Sequence, residues 1–315
     1  MSIAVIGSIN MDLVAEVKRL PTPGETVKAL RFESYPGGKG ANQAVAAARL
    51  GSTVKMLGKV GDDELGAELI QVLKNEGVDT HWIVREADCP TGRACVWVDE
   101  EGENSIVFWP GANARVSRAY VDHVLPILSA AQVILLQLEI PVETVADVLR
   151  ALPRPGPTVI LDPAPASAAL SLPLARVDIL TPNRGELELL SGERNQRAAA
   201  RQLLGQGVGY VICKNGAQGC SVFSRGGTAD YPAVRVRAVD TTAAGDAFNG
   251  ALAAALAAGR RVEEAIQWGN AAGAFAATRK GAQPSLPHVD DLRGILCPQD
   301  GENGVDLLGP QAAQP

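Results

Sequence analysis

The sequence predicts a three-layer α/β/α fold, in which a central, mostly parallel sheet is covered on both faces by helices and carries a small β-sheet lid. Short apolar runs alternate with stretches of helical periodicity along most of the 315 residues, and strand–helix alternation is the pattern of a parallel sheet. Two stretches, residues 12–31 and 91–110, break that rhythm with β-type residues and Pro/Gly turns but no helix between them. The composition is 46% hydrophobic, enough for a sizeable core in one large α/β domain or two modest ones.

The elements follow in order. Ile3–Ile9 is an apolar run that reads as a buried first strand. Ala41–Leu50 is an alanine-rich helix stopped by Gly51, and Val54–Val60 is the second strand. Glu64–Glu76 places Leu65, Leu69, Ile70 and Leu73 at helical spacing and stops at Gly77. ACVWVDEEGENSIVFW reads as a hairpin with a polar turn at Asp99–Asn104. With segment 12–31 it would make a small antiparallel sheet, suited to closing over a site. Val133–Leu138, Thr158–Leu161, Val177–Leu180 and Val208–Cys213 are further strands, with helices at 142–151, 183–191 and 194–205. Residues 239–250, VDTTAAGDAFNG, break a β-like segment with small residues and open an almost wholly apolar helix. A single domain over 1–297 is expected, followed by a polar, turn-rich and disordered tail at 298–315.

Composition argues against several functions. The net charge is −6 with no long Lys/Arg run, so neither nucleic acid nor an anionic membrane is an expected partner. Five cysteines form no C-x-x-C and three histidines have no metal-ligand spacing, which argues against structural zinc and for buried or idle thiols. The start, SIAVIGSIN, lacks a basic n-region, and the Ala-rich 251–258 is too short to span a bilayer. A soluble, cytoplasmic chain is expected. There is no G-x-x-x-x-G-K-[ST], and no G-x-G-x-x-G follows a strand, against both a P-loop and a dinucleotide-dependent dehydrogenase.

Seven segments carry chemistry. Gly245 and Asp246 stand at a helix start, where open N–H groups and the macrodipole attract anions. There Asp246 is placed to take a proton from an attacking hydroxyl. GSINMD brings Asn10 and Asp12 to the carboxyl end of the first strand, the ligand edge of an open α/β sheet. PGGKGANQA offers Gly38, Lys39 and Asn42 at a helix entry, and Glu139 follows an apolar strand. TPNRGE supplies Asn183 and Glu186, and CKNGAQG a glycine-bounded loop suited to phosphate. TRKGAQPS, with Asp240, is rich in free carbonyls and suits a monovalent cation. Each also has a plainer structural reading: a cap for Asp246 and Asn183, a strand-end turn for Asn10, Asp12 and Glu139, a hairpin turn for the 216–219 loop.

Taken in order, GSINMD, PTPGETV, GGKGANQAVAAARLG, GDDELG, GENSIV, GAN, DPAPA, TPN, VDTTAAGDAFNGAL and TRKGAQPSLP resemble the ribokinase family of the PfkB carbohydrate kinases, over roughly residues 2–296. The resemblance implies a ribokinase-like fold and ATP-dependent phosphorylation of D-ribose at O5, giving D-ribose 5-phosphate. It implies Asp246 as catalytic base beside Gly245 and Ala244. The sugar site falls on Asn10, Met11, Asp12, Gly38, Lys39, Gly40, Ala41, Asn42, Glu139 and Asp246. The ATP site falls on Asn183, Glu186, Lys214, Asn215, Gly216, Ala217, Gln218, Gly219, Gly245 and Asn270, with Mg²⁺ on the phosphates. A potassium ion would sit among Asp240, Thr242, Ala276, Arg279, Gly281 and Ser285, several acting through carbonyls. A homodimer joined through the lid sheet is also implied. Four positions depart from the ribokinase pattern: Arg184 and Gly185 within N-E-T-E, Lys214 where Thr is usual in ribokinases although other PfkB kinases resemble this chain there, and Asn270 where His is frequent. The alternatives are another PfkB kinase acting on deoxyribose, fructose or adenosine, or a non-catalytic sugar-binding relative.

Overall fold

The computed structural model describes residues 2–101, 103–166 and 172–296. β1 (Ser2–Ile6) turns into β2 (Asn10–Glu16) and β3 (Arg31–Gly37), and α1 (Lys39–Arg49) returns the chain to β4 (Thr53–Gly61). α2 (Glu64–Asn75), β5 (Ile83–Glu86) and the hairpin β6 (Gly92–Val98)–β7 (Asn104–Trp109) follow. Next come α3 (Arg118–Ala130), β8 (Val133–Leu136), α4 (Val142–Ala151), β9 (Thr158–Leu161) and β10 (Ile179–Leu180). After α5 (Arg184–Ser191) and α6 (Gln196–Gly205), β11 (Tyr210–Lys214) leads into the hairpin β12 (Cys220–Ser224)–β13 (Gly227–Tyr231). α7 (Ala244–Ala257), α8 (Val262–Ala276) and α9 (Val289–Leu296) close the described chain.

Nine strands form the large sheet in the order β13-β12-β11-β10-β9-β8-β1-β4-β5. It is parallel from β11 through β5, and β12 alone runs against the rest, pairing antiparallel with both β11 and β13. Both faces are buried, as the apolar run SIAVI requires of a central strand. Ile3 and Val5 enter one core with α1, α7 and α8, whereas Ala4 and Ile6 enter the other with α3, α4 and α6. The expected three layers are therefore present.

The lid is a separate sheet, β3-β2-β6-β7, and it is mixed rather than antiparallel as expected, because its two hairpins join through the parallel pair β2–β6. Its hairpin follows the expected turn, but the first lid segment does not match 12–31. The first strand ends at Ile6, and Asn10 already opens β2. Residues 17–30, with Pro21, Pro23 and Gly24, form an irregular loop, and the returning strand runs on to Gly37. The boundaries escaped notice because β2 and β3 mix apolar residues with Asp12, Glu33 and Ser34. The β12–β13 hairpin was also not foreseen; β13 at the sheet edge reads GTADY and is mostly exposed. The expected disordered tail lies outside the described residues.

Close helix packing positions the site. α7 lies against α1, and a Cβ on Gly250 would sit 2.9 Å from the Gln43 carbonyl and 3.0 Å from the Ala47 amide. Glycine and alanine at this contact let the helices approach until the N-terminus of α7 meets Asn42 and Gln43. Cys213 and Cys220 are buried free thiols, both pushed up by desolvation, to about 11 and about 12. Among the described residues no helix is long and apolar enough to cross a membrane.

Candidate active site

Asp246 is the third residue of α7 and is 5% exposed. It does not cap its helix. Its Oδ2 accepts from Asn42 Nδ2 at 2.9 Å, and its Oδ1 from Gln43 Nε2 at 3.0 Å. Burial raises its pKa, Lys39 opposes this, and the charge of Asp162 adds to it. The helix opens from Ala243, which adopts a left-handed φ of 57°. The Ala244 amide donates to the Thr241 carbonyl at 3.2 Å and the Ala247 amide to Ala243 at 2.8 Å. No described residue accepts from the Gly245 or Asp246 amides, so these are the open donors of the helix start. Ala244, expected to share that role, has its N–H committed.

The residues expected around a sugar converge on the same side. Glu139 Oε2 accepts from Ser8 Oγ at 2.5 Å, the Lys39 amide at 3.1 Å and Asn10 Nδ2 at 3.5 Å. Asn113 Nδ2 fixes Asn10 Oδ1 at 2.7 Å. Gly38 has a φ of 88°, and a Cβ there would lie 2.8 Å from the Asn10 amide nitrogen, so the position requires glycine. Asp12 is pushed up to about 7 by burial and by the charges of Glu139 and Asp246. Burial pulls Lys39 down, but Asp246, Asp162, Glu139 and Glu186 outweigh it and hold the ammonium more firmly than usual. Asn42 Oδ1 is buried without a hydrogen-bond partner. Met11 and Ala41 point into the core instead, so only their backbone can face a ligand, and the Gly40 amide donates to Ser8 Oγ at 3.3 Å.

The phosphate-side residues are arranged partly as the plainer reading has it. Asn183 and Glu186 form a capping box: Asn183 Oδ1 accepts from the Glu186 amide at 2.8 Å, and Glu186 Oε2 from the Asn183 amide at 2.7 Å. Burial, reinforced by Asp162, still raises the Glu186 pKa. The 214–219 loop joins two antiparallel strands, so it is a hairpin connection. Arg184 braces it through Asn215 Oδ1 at 2.9 Å and Gln218 Oε1 at 2.5 Å; the Gly219 amide donates to the Gly216 carbonyl at 2.9 Å and its carbonyl accepts from the Asn215 amide at 2.7 Å, leaving the Gly216 and Ala217 amides to face outward. Lys214 reaches inward, donating to Asp162 Oδ1 at 3.0 Å, and its Nζ lies 3.3 Å from where a Gly245 Cβ would stand. Asn270 Nδ2 donates to the Tyr231 and Pro232 carbonyls at 3.3 and 3.4 Å.

The two loops expected to hold a monovalent cation are tied together. Asp240 accepts from the Thr242 amide through Oδ1 and the Gly281 amide through Oδ2, both at 2.9 Å. The Val239 amide donates to the Ala277 carbonyl at 2.8 Å. Ser285 is buried with Oγ on the Ala282 carbonyl at 2.7 Å. Ala276 ends α8 and its carbonyl accepts from the Arg279 amide at 3.1 Å, while the Arg279 guanidinium lies 4.2 Å from the Phe275 ring centre. The donor set is a carboxylate with backbone oxygens, the right chemistry for a weakly hydrated cation.

Comparison with known proteins identifies the lineage. Residues 1–289 match the pfkB family carbohydrate kinase profile. The chain belongs to the pfkB carbohydrate kinases. Among its pfkB relatives, a ribokinase of Haemophilus influenzae is 38% identical over 291 residues, 91% of this chain and 95% of that protein. A deoxyribokinase of Salmonella typhi is 39% identical over 302 residues, 94% and 99% of the two chains. The ribokinase structure from Thermotoga maritima superposes with a TM-score of 0.87 at 40% identity, covering 93% of this chain and 98% of that one. The Arabidopsis thaliana ribokinase complexed with ribose and ATP gives 0.83 at 33%, covering 92% and 96%.

Sequence reasoning on this pfkB kinase overlooked Asp162, Gln43, Gln137, Ser8 and Asn113. Asp162 directly follows β9 and accepts from both Lys214 and Gln43 Nε2, the latter at 3.1 Å. The strand-end rule that singled out Glu139 applies equally to Asp162, so that signal was available. Gln43 and Gln137 carried none, since an amide within an apolar run reads as an isolated polar residue.

Proposed function

We propose that this pfkB kinase transfers the γ-phosphoryl group of ATP to O5 of D-ribose. The observation that carries the reading is Asp246: a buried carboxylate of raised pKa, gripped at both oxygens, at a helix start with two open N–H donors. The names of the Haemophilus and Arabidopsis relatives support ribose and ATP. Asp246 orients the sugar hydroxyl and takes its proton, while the Gly245 and Asp246 amides meet the charge on the transferred phosphoryl oxygens. Asn42 Oδ1 accepts from a sugar hydroxyl and Asn10, Asp12 and Glu139 read others. Lys39 steadies the negative charge collected there. Closure of the lid sheet excludes water and so limits loss of ATP to hydrolysis.

Among the described residues no three His, Cys, Asp or Glu side chains converge to hold a metal. The half-buried Glu186, its pKa raised by burial and Asp162, fits a magnesium ion approached through water. Mg²⁺ carried by the nucleotide supplies charge neutralisation when bound. K⁺ would be held by Asp240 and the carbonyls of the 276–285 loop, bracing the turn into α7. The chain works in the cytoplasm as a homodimer, its lid faces meeting through exposed Phe32, Val107 and Trp109, which the strand register places on one face.

Deoxyribose is the second reading, favoured by the Salmonella relative. An ADP-release assay over a sugar panel separates them. A buried polar group left unpaired costs about 1–3 kcal/mol, and about 1.4 kcal/mol is tenfold. D-ribose should therefore exceed 2-deoxyribose in kcat/KM by about tenfold. Equal efficiency would move the chain to the second reading, and preference for fructose or adenosine would overturn both.

A further inference from the structure

Gln43 sits in the middle of α1, wholly buried, with every polar atom of its side chain engaged. Its Nε2 donates to Asp246 Oδ1 at 3.0 Å and to Asp162 Oδ2 at 3.1 Å, and its Oε1 accepts from Gln137 Nε2 at 2.7 Å. This fixes the amide in one orientation. Reversed, it would aim a carbonyl at two carboxylates and leave Gln137 facing an N–H group.

The effect on Asp246 is specific. Asn42 holds Oδ2 and Gln43 holds Oδ1, so the carboxylate plane cannot turn, and each oxygen keeps a lone pair for an incoming proton. Of the two amides only Asn42 has an unpartnered atom. Gln43 has no surface, so anything it does for turnover is done through Asp246. We infer that Gln43 is a positioning residue, which sets the orientation and ionisation of Asp246 and ties it to the Lys214–Asp162 pair. The inference rests on the reading of Asp246 as the base. The charged groups that bear on Asp246 are Lys39 of α1, Asp162 after β9, Lys214 of β11 and Asp12 of β2, with Glu139 and Glu186 acting on Lys39.

The test is steady-state kinetics from about pH 5 to 9 on Gln43→Leu, Gln43→Glu, Asp246→Asn and the double variant Gln43→Leu/Asp246→Asn, with folding checked by circular dichroism. A lost donor leaves ionised Asp246 less favoured. Gln43→Leu should lower kcat by about 10- to 100-fold with both KM values within about threefold, and move the acid limb of kcat upward by about half a unit or more. In the Asp246→Asn background the same change should cost less than about twofold, because groups acting as a unit are non-additive. If Gln43→Leu does not fold, the near-isosteric Gln43→Glu decides. Its introduced carboxylate, once ionised, has no proton to donate to Asp246, so kcat should fall as pH rises. A kcat within about twofold of wild type with an unmoved acid limb, equal penalties in both backgrounds, or a wild-type profile for Gln43→Glu would overturn the inference while leaving an inactive Asp246→Asn to uphold the base. Near-normal turnover in Asp246→Asn would remove both.

Discussion

Lys214 supplies half of a buried ion pair. Its Nζ is 3.0 Å from Asp162 Oδ1, with side-chain exposures of 16% and 2%. Lys214→Met keeps the length and apolar stem but leaves the Asp162 carboxylate out of water, with the Gln43 amide as its remaining hydrogen-bond donor. Removing one partner of a buried pair costs about 3–5 kcal/mol, and the partial exposure of Lys214 places this case near about 3 kcal/mol. A chain of this size loses about 2 °C of Tm per kcal/mol, so Tm should drop by about 6 °C in differential scanning calorimetry without ligands. Asp162→Asn removes the stranded charge while its carbonyl can still accept from Gln43. The double variant Lys214→Met/Asp162→Asn should therefore recover more than half of the loss. A Tm change below about 1 °C, or a double variant no more stable than Lys214→Met, would refute the assignment of this pair as a coupled, desolvated unit.

Two further outcomes are expected. Asp12, pushed up to about 7, holds its proton in the native state over a pH range where the unfolded chain has lost it, so it makes the ligand-free protein less stable as pH rises from about 4 to about 7. Asp12→Asn should therefore raise Tm at pH 8 but not near pH 4, while ribose binding by calorimetry weakens about tenfold; an equal shift at both pH values would count against the raised pKa. If the Asp240 loop holds a monovalent cation, activity should rise several-fold with K⁺ and much less with Na⁺, because carbonyl cages discriminate by size and field strength. A flat response in buffer free of both ions would remove that site.

Features that depend on the backbone were legible in the chain. Runs such as SIAVI and TVIL announce buried parallel strands, and the glycines of PGGKG announce a close backbone approach, which at Gly38 is to the Asn10 amide and the Ser8 carbonyl. The lid hairpin was visible because ACVWV and SIVFW flank a polar turn. The start of β2 was not, since Asn10 and Asp12 read as a turn until pairing with Gly37 and Tyr35 makes them a strand. Asn183 shows the opposite limit: its local cap pattern was real, and the capping box engages one oxygen of its Glu186 partner.

What escaped was the partnering of side chains. Gln43 and Asp246 are 203 residues apart, and Gln43 and Asp162 are 119 apart. Their contact depends on how closely α7 approaches α1, and that distance is set by residues with no polar chemistry, among them Ala46, Ala47 and Gly250. The apolar, alanine-rich body of α1 is thus what brings two amides to a buried carboxylate. A bulkier residue at Gly250 would have to displace the Gln43 carbonyl and the Ala47 amide, separating the helices and with them the grip on Asp246. The geometry of the Asp246 carboxylate is therefore written in the small residues of the helix contact as much as in the Gly-Asp pair itself.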